Sequence, residues 1–204
     1  MTEEQALIAF YGNKEDLDPD DCLVLVRALH SRSLVDIMSI IAPHYRPYII
    51  TSSDVPQFSS LDDCFRVPIL IELSGLPGVD YNTMGYLLRT KNRKEGADKK
   101  YGENAGKMAV MFGLCALDKI TKPFRFRTTS LGRLFTSLTD DERDSLKPYF
   151  CIRPGIIQNY FMQVDGEASI EKDLHTLTSK TKKRRLSNVK TLISIVKTAR
   201  ESEL

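Results

Sequence analysis

Several residue types and motifs that carry enzyme chemistry are scarce or missing in this chain. It has no tryptophan, and its four cysteines and three histidines are scattered, without the C-x-x-C spacing of a zinc or redox site. It also lacks the GxxxxGK loop of ATP-binding proteins and the catalytic GxSxG and HExxH motifs. We therefore expect reduced core thiols, no bound metal, no cofactor and no enzymatic activity of its own.

Long apolar segments are missing as well. No apolar run approaches the roughly 20 residues of a membrane span, and the first residues are acidic where a secretory signal would be basic. These two absences predict a cytoplasmic protein with no membrane partner. The 204 residues are 42% hydrophobic and 27% charged, which is too apolar for a disordered chain and fits one large domain or two small ones.

Charge is distributed unevenly along the chain, although its net value is only +2. Residues 1–90 contain 6 Lys and Arg against 13 Asp and Glu, residues 91–168 contain 14 against 10, and residues 169–204 contain 9 against 4. Such a split indicates that the C-terminal part contacts nucleic acid or another anionic surface. Ordinary solvated faces are the alternative.

The first predicted part, residues 1–60, is acidic and mostly helical. Apolar residues at helical spacing predict helices within residues 3–42. The stretch that begins at Tyr48 is predicted to form a short strand before a polar loop. We expect this part to serve packing or dimerisation rather than catalysis.

The middle of the chain shows three successive helix signals. Pro68 suits the first position of a helix, and Gly75 suits its C-terminal cap. Asp80 is predicted to cap a second helix. A polar, basic stretch at residues 90–102 then predicts a loop, and apolar spacing predicts a third helix over 103–119.

A hairpin is predicted after the third helix. Residues 120–129 are rich in Phe and Thr and predict two short strands joined near 122–123, and Ser130 is predicted to cap a further helix. Three helices followed by a hairpin are the order of a winged helix-turn-helix, in which the third helix enters the DNA major groove and the hairpin is the wing. We therefore predict a mainly α fold with a winged helix-turn-helix domain at residues 61–150.

Basic residues concentrate on the parts of this domain that would face DNA. Residues 89–133 contain 12 Lys and Arg but only four Asp and Glu. Cations neutralise phosphates, and amide or ammonium groups on the third helix can contact base edges. Arg125 and Arg127 alternate with Phe124 and Phe126, so we expect the arginines to face outward. The candidate DNA-binding residues here are Lys99, Lys100, Asn104, Lys107, Lys122, Arg125 and Arg127.

A second basic element is predicted within residues 151–204. A short helix precedes a long one, whose apolar stripe is formed by Leu186, Val189, Leu192, Ile193 and Val196. Five cations crowd the start of the long helix, where the helix dipole disfavours positive charge, which indicates an external anion. We interpret this part as a second helix-turn-helix-like unit in tandem with the first; a basic tail or a localisation signal is the alternative.

Two segments resemble known DNA-recognition modules. Residues 124–150 (FRFRTTSLGRLFTSLTDDERDSLKPYF) resemble the end of a winged helix. Residues 178–195 are similar to the T-x-x-R-R-x-x-x-V-x-x-x-I helix of winged-helix modules in restriction endonucleases and related defence proteins. The resemblance covers residues 66–200. It implies a DNA-facing helix that carries Lys182, Lys183, Arg184 and Arg185, with Asn188 as a weaker candidate.

Together these patterns predict non-catalytic binding of double-stranded DNA, as sequence recognition for a restriction or defence system. The acid-x-Lys element of a restriction nuclease occurs only at residues 98–100, in a predicted loop, so cleavage would lie on a partner nuclease or another defence-system subunit. Two alternatives stay open. One is a stand-alone transcription regulator that binds a two-fold site as a homodimer, and the other is a winged-helix scaffold for a protein complex.

Overall fold

The computed structural model of the chain describes residues 1–12, 17–89, 96–120, 122–175 and 177–203. In these residues the chain is mainly helical and forms one three-stranded antiparallel sheet, which confirms the predicted mainly helical class. The elements in chain order are α1 (Glu3–Tyr11), α2 (Pro19–Ser31), α3 (Leu34–Ile41), a single 3-10 turn (Ala42–His44), α4 (Leu61–Ser74), β1 (Val79–Asp80), α5 (Tyr81–Leu87), α6 (Ala97–Met111), β2 (Cys115–Asp118), β3 (Arg125–Thr128), α7 (Ser130–Ser137), α8 (Asp140–Ile152), α9 (Gly155–Met162), α10 (Gly166–Asp173) and α11 (Ser179–Ser202).

Residue contacts divide the chain into two units. The first, called the helical unit, comprises Met1–Lys14, Asp20–Pro56 and Asp140–Leu204. The second, called the sheet-containing unit, comprises Glu15–Pro19 and Gln57–Thr139. The sequence interpretation instead separates three parts, with boundaries after residues 60 and 150. The difference arises because the N-terminal and C-terminal helices share one core.

One buried amide joins distant segments of the helical unit. Asn159, on α9, accepts a hydrogen bond from the backbone N–H of Tyr48 at 2.9 Å and donates one to the Tyr48 carbonyl oxygen at 3.0 Å. This side chain thereby satisfies the backbone groups that a neighbouring strand would otherwise bind. The prediction of a strand from Tyr48 is therefore wrong, and the described residues 45–50 are irregular.

The end of α1 is fastened to the C-terminal helices of the same unit. The Tyr11 carbonyl oxygen accepts a hydrogen bond from Gln158 Nε2 at 2.8 Å. The carbonyl oxygen of Phe10 accepts one from the Arg153 guanidinium at 3.1 Å. These bonds span 147 and 143 positions, respectively, so the N-terminal segment is part of a unit completed far downstream.

Helix α11 packs against α8 with its apolar stripe inward. Val189, Leu192, Ile193 and Val196 are buried, as the helical spacing predicts, whereas Leu186 is half-buried. The stripe therefore explains why a strongly basic segment folds as part of a core rather than as a tail.

In the sheet-containing unit, α4 begins earlier than predicted. The Ser60 hydroxyl caps it by accepting a hydrogen bond from the Asp63 backbone N–H at 3.2 Å. Pro68 consequently lies inside the helix and not at its start. Gly75 ends the helix with a left-handed backbone (φ 65°), which confirms the predicted C-terminal cap.

The predicted cap of the next helix is also confirmed. Asp80 Oδ1 accepts hydrogen bonds from the backbone N–H groups of Asn82 at 2.8 Å and Thr83 at 3.0 Å, at the start of α5. Two otherwise unpaired amides of the first turn are thus satisfied by one carboxylate, as expected for an N-terminal aspartate.

Helix α6 begins at Ala97 rather than Glu103, so residues 97–102 of the predicted loop are helical, and residues 90–95 of that loop lie outside the described residues. Of the two glycines in the predicted loop, Gly96 precedes α6 as its left-handed N-terminal cap (φ 77°), whereas Gly102 serves helix packing. Gly85 of α5 and Gly102 of α6 lie where the two helices meet, and a Cβ on either would overlap the backbone of the other helix.

The sheet has the order β1-β3-β2, with β3 in the centre. A hairpin is present, but its first strand, β2, covers Cys115–Asp118 and therefore lies before the predicted residues 120–129. The predicted third helix over 103–119 is wrong beyond Met111, because Gly113 adopts a left-handed backbone (φ 76°) and separates α6 from β2. Thr129 caps α7, rather than Ser130, by accepting a hydrogen bond from the Gly132 backbone N–H at 3.0 Å.

Candidate nucleic-acid interface

The exposed side of α6 carries four of the predicted DNA-binding residues. Lys99 and Lys100 are exposed, and Asn104 and Lys107 are half-buried. Because α6 begins at Ala97, Asn104 lies two turns inside the helix rather than at its start. Of the basic residues predicted to surround this helix, three lie outside the described residues: Lys91, Arg93 and Lys94.

An acidic side chain partly neutralises the lysines of α6. Glu103 binds Lys100 Nζ through Oε2 at 2.9 Å and Lys107 Nζ through Oε1 at 2.6 Å. Partial burial raises the pKa of Glu103, but the hydrogen bonds from Lys107 and Lys100 outweigh it and hold the pKa below its usual range. Glu103 is therefore ionised at neutral pH and competes with phosphate for both ammonium groups.

The hairpin arginines face outward, as the alternation predicts. Arg125 and Arg127 are exposed, and Phe126 between them is fully buried. Phe126 packs on Gly106 of α6, where a Cβ would overlap its ring. Since successive side chains of a strand point to opposite faces, both arginines project from the face of the sheet that is turned away from α6. The sequence interpretation assigns both arginines to DNA together with the α6 lysines, which requires the duplex to contact this face of the sheet as well as α6.

The two arginines have different electrostatic surroundings. Arg125 lies opposite Asp80 of β1 and opposite Asp118 of β2, so a carboxylate flanks it on each side. The pKa of Asp80 is raised by burial but lowered, on balance, by the hydrogen bonds of its capping role and by the charge of Arg125. Arg127 instead lies opposite Ala116. The charge of Arg127 is thus less compensated by neighbouring carboxylates than that of Arg125, so Arg127 is the better candidate to bind an external anion.

Lys122, the remaining predicted wing residue, lies in the connection between β2 and β3 and is exposed. Lys119 is exposed on the other side of the same connection. The tip of the hairpin therefore presents two ammonium groups, of which the sequence interpretation selected one.

The four consecutive cations of α11 do not share one face. Successive residues of a helix are rotated by about 100°, so Lys182, Lys183, Arg184 and Arg185 point in four directions. Lys183 and Arg184 are exposed, and Lys182 is half-buried. The Arg185 guanidinium donates a hydrogen bond to the Ser52 carbonyl oxygen of the same unit. Burial and the charge of Arg184 lower the pKa of Arg185.

Cysteines and clusters of metal-ligating side chains are the other features that could carry site chemistry. The four cysteines are buried thiols with no disulfide between them, and burial raises the pKa of the Cys151 thiol to about 12. Within the described part of the chain, there is no group of three or more His, Cys, Asp or Glu side chains that could hold a metal ion. No helix in that part is both long and apolar enough to cross a membrane.

Sequence reasoning found the cations of the interface but missed the acids that compensate them. The pairing of Glu103 with Lys107 follows from their four-residue spacing on a helix, and could have been recognised once the helix was predicted. The position of Asp118 opposite Arg125 depends on strand register, which the sequence does not fix.

Comparison with known proteins adds no further assignment. No family model, curated protein or solved structure matches the chain. The resemblance of residues 66–200 to restriction-system modules therefore stays a prediction.

Proposed function

We propose that this chain binds duplex DNA without catalysis and supplies sequence recognition to a restriction or defence system. The observation that carries the proposal is the arrangement of the sheet-containing unit. Three helices, α4, α5 and α6, precede the β2–β3 hairpin, and this order supports the proposal because it is the order of a winged helix-turn-helix. The third helix of that arrangement is α6, which carries exposed lysines.

In this proposal, α6 enters the major groove. Asn104 and Lys107 are the residues whose amide and ammonium groups suit base edges, because both lie on the outer side of the helix beyond its first turn. Lys99 and Lys100 contact phosphates near the start of the helix, and Lys122 does so at the hairpin tip. These contacts make binding dependent on salt.

The acidic partners described above favour a second candidate, a winged-helix scaffold for a protein complex. Glu103 satisfies two lysines, and two aspartates flank Arg125, so part of the basic surface is already neutralised within the unit. A surface of mixed charge suits a protein partner whose own charges are complementary to it, whereas the DNA backbone carries only negative charge. The two candidates differ in the expected response to DNA.

The deciding experiment is selection from a pool of random duplexes, with sequencing of the bound fraction and titrations at two salt concentrations. We expect an enriched motif and an affinity that falls steeply with salt. Asn104→Ala and Lys107→Ala should each relax the preference at one position, by roughly 1–3 kcal/mol. An asymmetric motif supports restriction-type recognition, and a palindromic one supports a dimeric regulator.

Two arginine variants form a matched pair for the same assay. Arg127→Ala tests whether the duplex also contacts the face of the sheet turned away from α6. A phosphate contact on that face should make this variant weaken binding to all sequences alike and reduce the salt slope by about 1. Arg125→Ala removes the same charge from the same strand but should change the slope less, because Asp80 and Asp118 lie opposite Arg125 in the sheet and lower the local positive potential. Failure of the wild-type chain to bind any duplex at low salt would remove the DNA proposal and favour the scaffold.

A further inference from the structure

The outer face of α11 carries cations and hydroxyl groups and no acids. Residues 179–200 contain eight Lys and Arg and no Asp or Glu. The inner face is fixed in the core of the helical unit by its buried apolar stripe, so the outer face has a fixed orientation. Its central part, here called the lysine–hydroxyl face, consists of Lys183, Ser187, Lys190, Thr191 and Ser194, all exposed.

This composition differs from that of an ordinary solvated helix in the same unit. On α8, Lys147 Nζ lies 2.8 Å from Asp144 Oδ1, and Arg143 is paired with Asp140. Such pairs at three-residue spacing are how an exposed helix balances its own charge. Lys183 and Lys190 of the lysine–hydroxyl face have no carboxylate three or four residues away on the helix, because residues 179–200 contain no Asp or Glu.

The geometry of the face suits a repeating anionic ligand. A shallow groove of about 590 Å³ runs along it and is flanked by the half-buried Leu186 and Ile195. Lys183 and Lys190 are seven residues apart and therefore about 10.5 Å apart along the helix axis. The hydroxyls of Ser187 and Ser194 follow each lysine by one turn, and serine hydroxyls are common donors to phosphate oxygens.

We propose that the lysine–hydroxyl face of α11 binds the phosphodiester backbone of duplex nucleic acid, independently of its sequence. The proposal rests on the proposed DNA-binding function and adds a second contact surface to it. A lipid surface fits less well, because the apolar stripe that would enter a membrane is buried in the unit. The face ends before Lys197, whose Nζ lies 5.1 Å from the centre of the Tyr160 ring.

The test compares two double variants of the full chain. Lys183→Gln with Lys190→Gln removes two charges from the face. Arg27→Gln with Lys172→Gln removes two exposed charges elsewhere in the helical unit and serves as the control. Binding to a 20-base-pair duplex without the selected motif is measured by fluorescence anisotropy over a range of salt concentrations, and helical content by circular dichroism confirms that each variant is folded.

We expect the lysine variant to reduce the slope of log K against log salt by about 1.8, because each lost phosphate contact contributes about 0.9. Its affinity at 0.1 M salt should fall by roughly 10- to 60-fold. The control should leave the slope close to that of the wild-type chain. Equal effects of the two variants, or no effect of the lysine variant, would overturn the proposal.

Two further outcomes separate this proposal from the proposed function. If Lys107→Ala leaves the selected motif unchanged while the lysine variant still lowers the slope, recognition by α6 fails and the lysine–hydroxyl face stands. If Lys107→Ala relaxes the motif while the lysine variant has no effect, only the lysine–hydroxyl face fails. Binding of poly-glutamate as tightly as duplex would overturn the nucleic-acid assignment in favour of an acidic protein partner.

Discussion

The buried amide of Asn159 offers the sharpest test of how the helical unit is held together. Asn159 is only 1% exposed, and its side chain makes four hydrogen bonds. Two of these bonds join it to the Tyr48 backbone at 2.9 and 3.0 Å. In the third it accepts from the Tyr45 hydroxyl at 2.8 Å, and in the fourth it donates to Asp173 Oδ2 at 2.9 Å. Asn159→Ala removes all four hydrogen bonds and leaves the space of the amide group empty.

The expected cost follows from the number of bonds. Each hydrogen bond contributes about 0.5–1.5 kcal/mol net, so four lost bonds predict a loss of roughly 2–6 kcal/mol in the free energy of unfolding. The upper part of that range is expected, because the Tyr48 N–H and carbonyl oxygen would stay close to the core without partners. For a unit of this size, such a loss is a large fraction of the total stability.

The assay is urea unfolding followed by far-ultraviolet circular dichroism, which reports the helices that dominate the unit. Tyr45→Phe is the control, because it removes one of the four bonds and the 3.2 Å bond from Gln163 Nε2 but keeps the ring. We expect it to cost about 1–3 kcal/mol. A loss below about 0.5 kcal/mol for Asn159→Ala, with an unchanged slope, would refute the view that this amide fastens the Tyr48 segment.

Two further predictions concern charge. Glu103→Gln should steepen the salt dependence of DNA binding by about 0.9 and raise affinity at 0.1 M salt by up to about tenfold, because the loss of one carboxylate charge leaves one further net positive charge on Lys100 and Lys107 for phosphate. Unchanged affinity would show that those lysines do not contact DNA. The pKa of Asp173 is raised, chiefly by burial, although a hydrogen bond from Asn159 lowers it. Folding therefore favours its protonated form, and its contribution to stability is lost as pH rises from about 3.9 through the raised pKa. Asp173→Asn should remove this loss in urea unfolding at pH 3.5 and 7; an unchanged pH dependence would contradict the assignment.

Local rules predicted the features that depend on neighbouring residues. The cap by Asp80 and the left-handed end at Gly75 follow from the conformational preferences of single residues, and both are present. The alternation of exposed Arg125 and Arg127 around buried Phe126 follows from the period of a strand. The apolar stripe of α11 follows from the period of a helix.

The features that sequence reasoning missed depend on residues far apart in the chain. Gly102 suggested a loop, whereas its role is to let α6 approach α5. The Tyr48 segment suggested a strand, but its backbone partner is a side chain 111 positions away. In the candidate interface, the cations could be counted from the sequence, while the carboxylates beside Arg125 come from strand register and could not be.

The helical unit is discontinuous in sequence, because most of the sheet-containing unit, Gln57–Thr139, is inserted between its segments. During synthesis, Tyr48 therefore leaves the ribosome 111 residues before Asn159, the residue that fixes its backbone. At a translation rate of about 5–20 residues per second, this interval lasts roughly 6–22 s. The inserted unit is fully synthesised within that time, while the N-terminal helices still lack the C-terminal half of their core. The order of folding is thus expected to run from the middle of the chain outward.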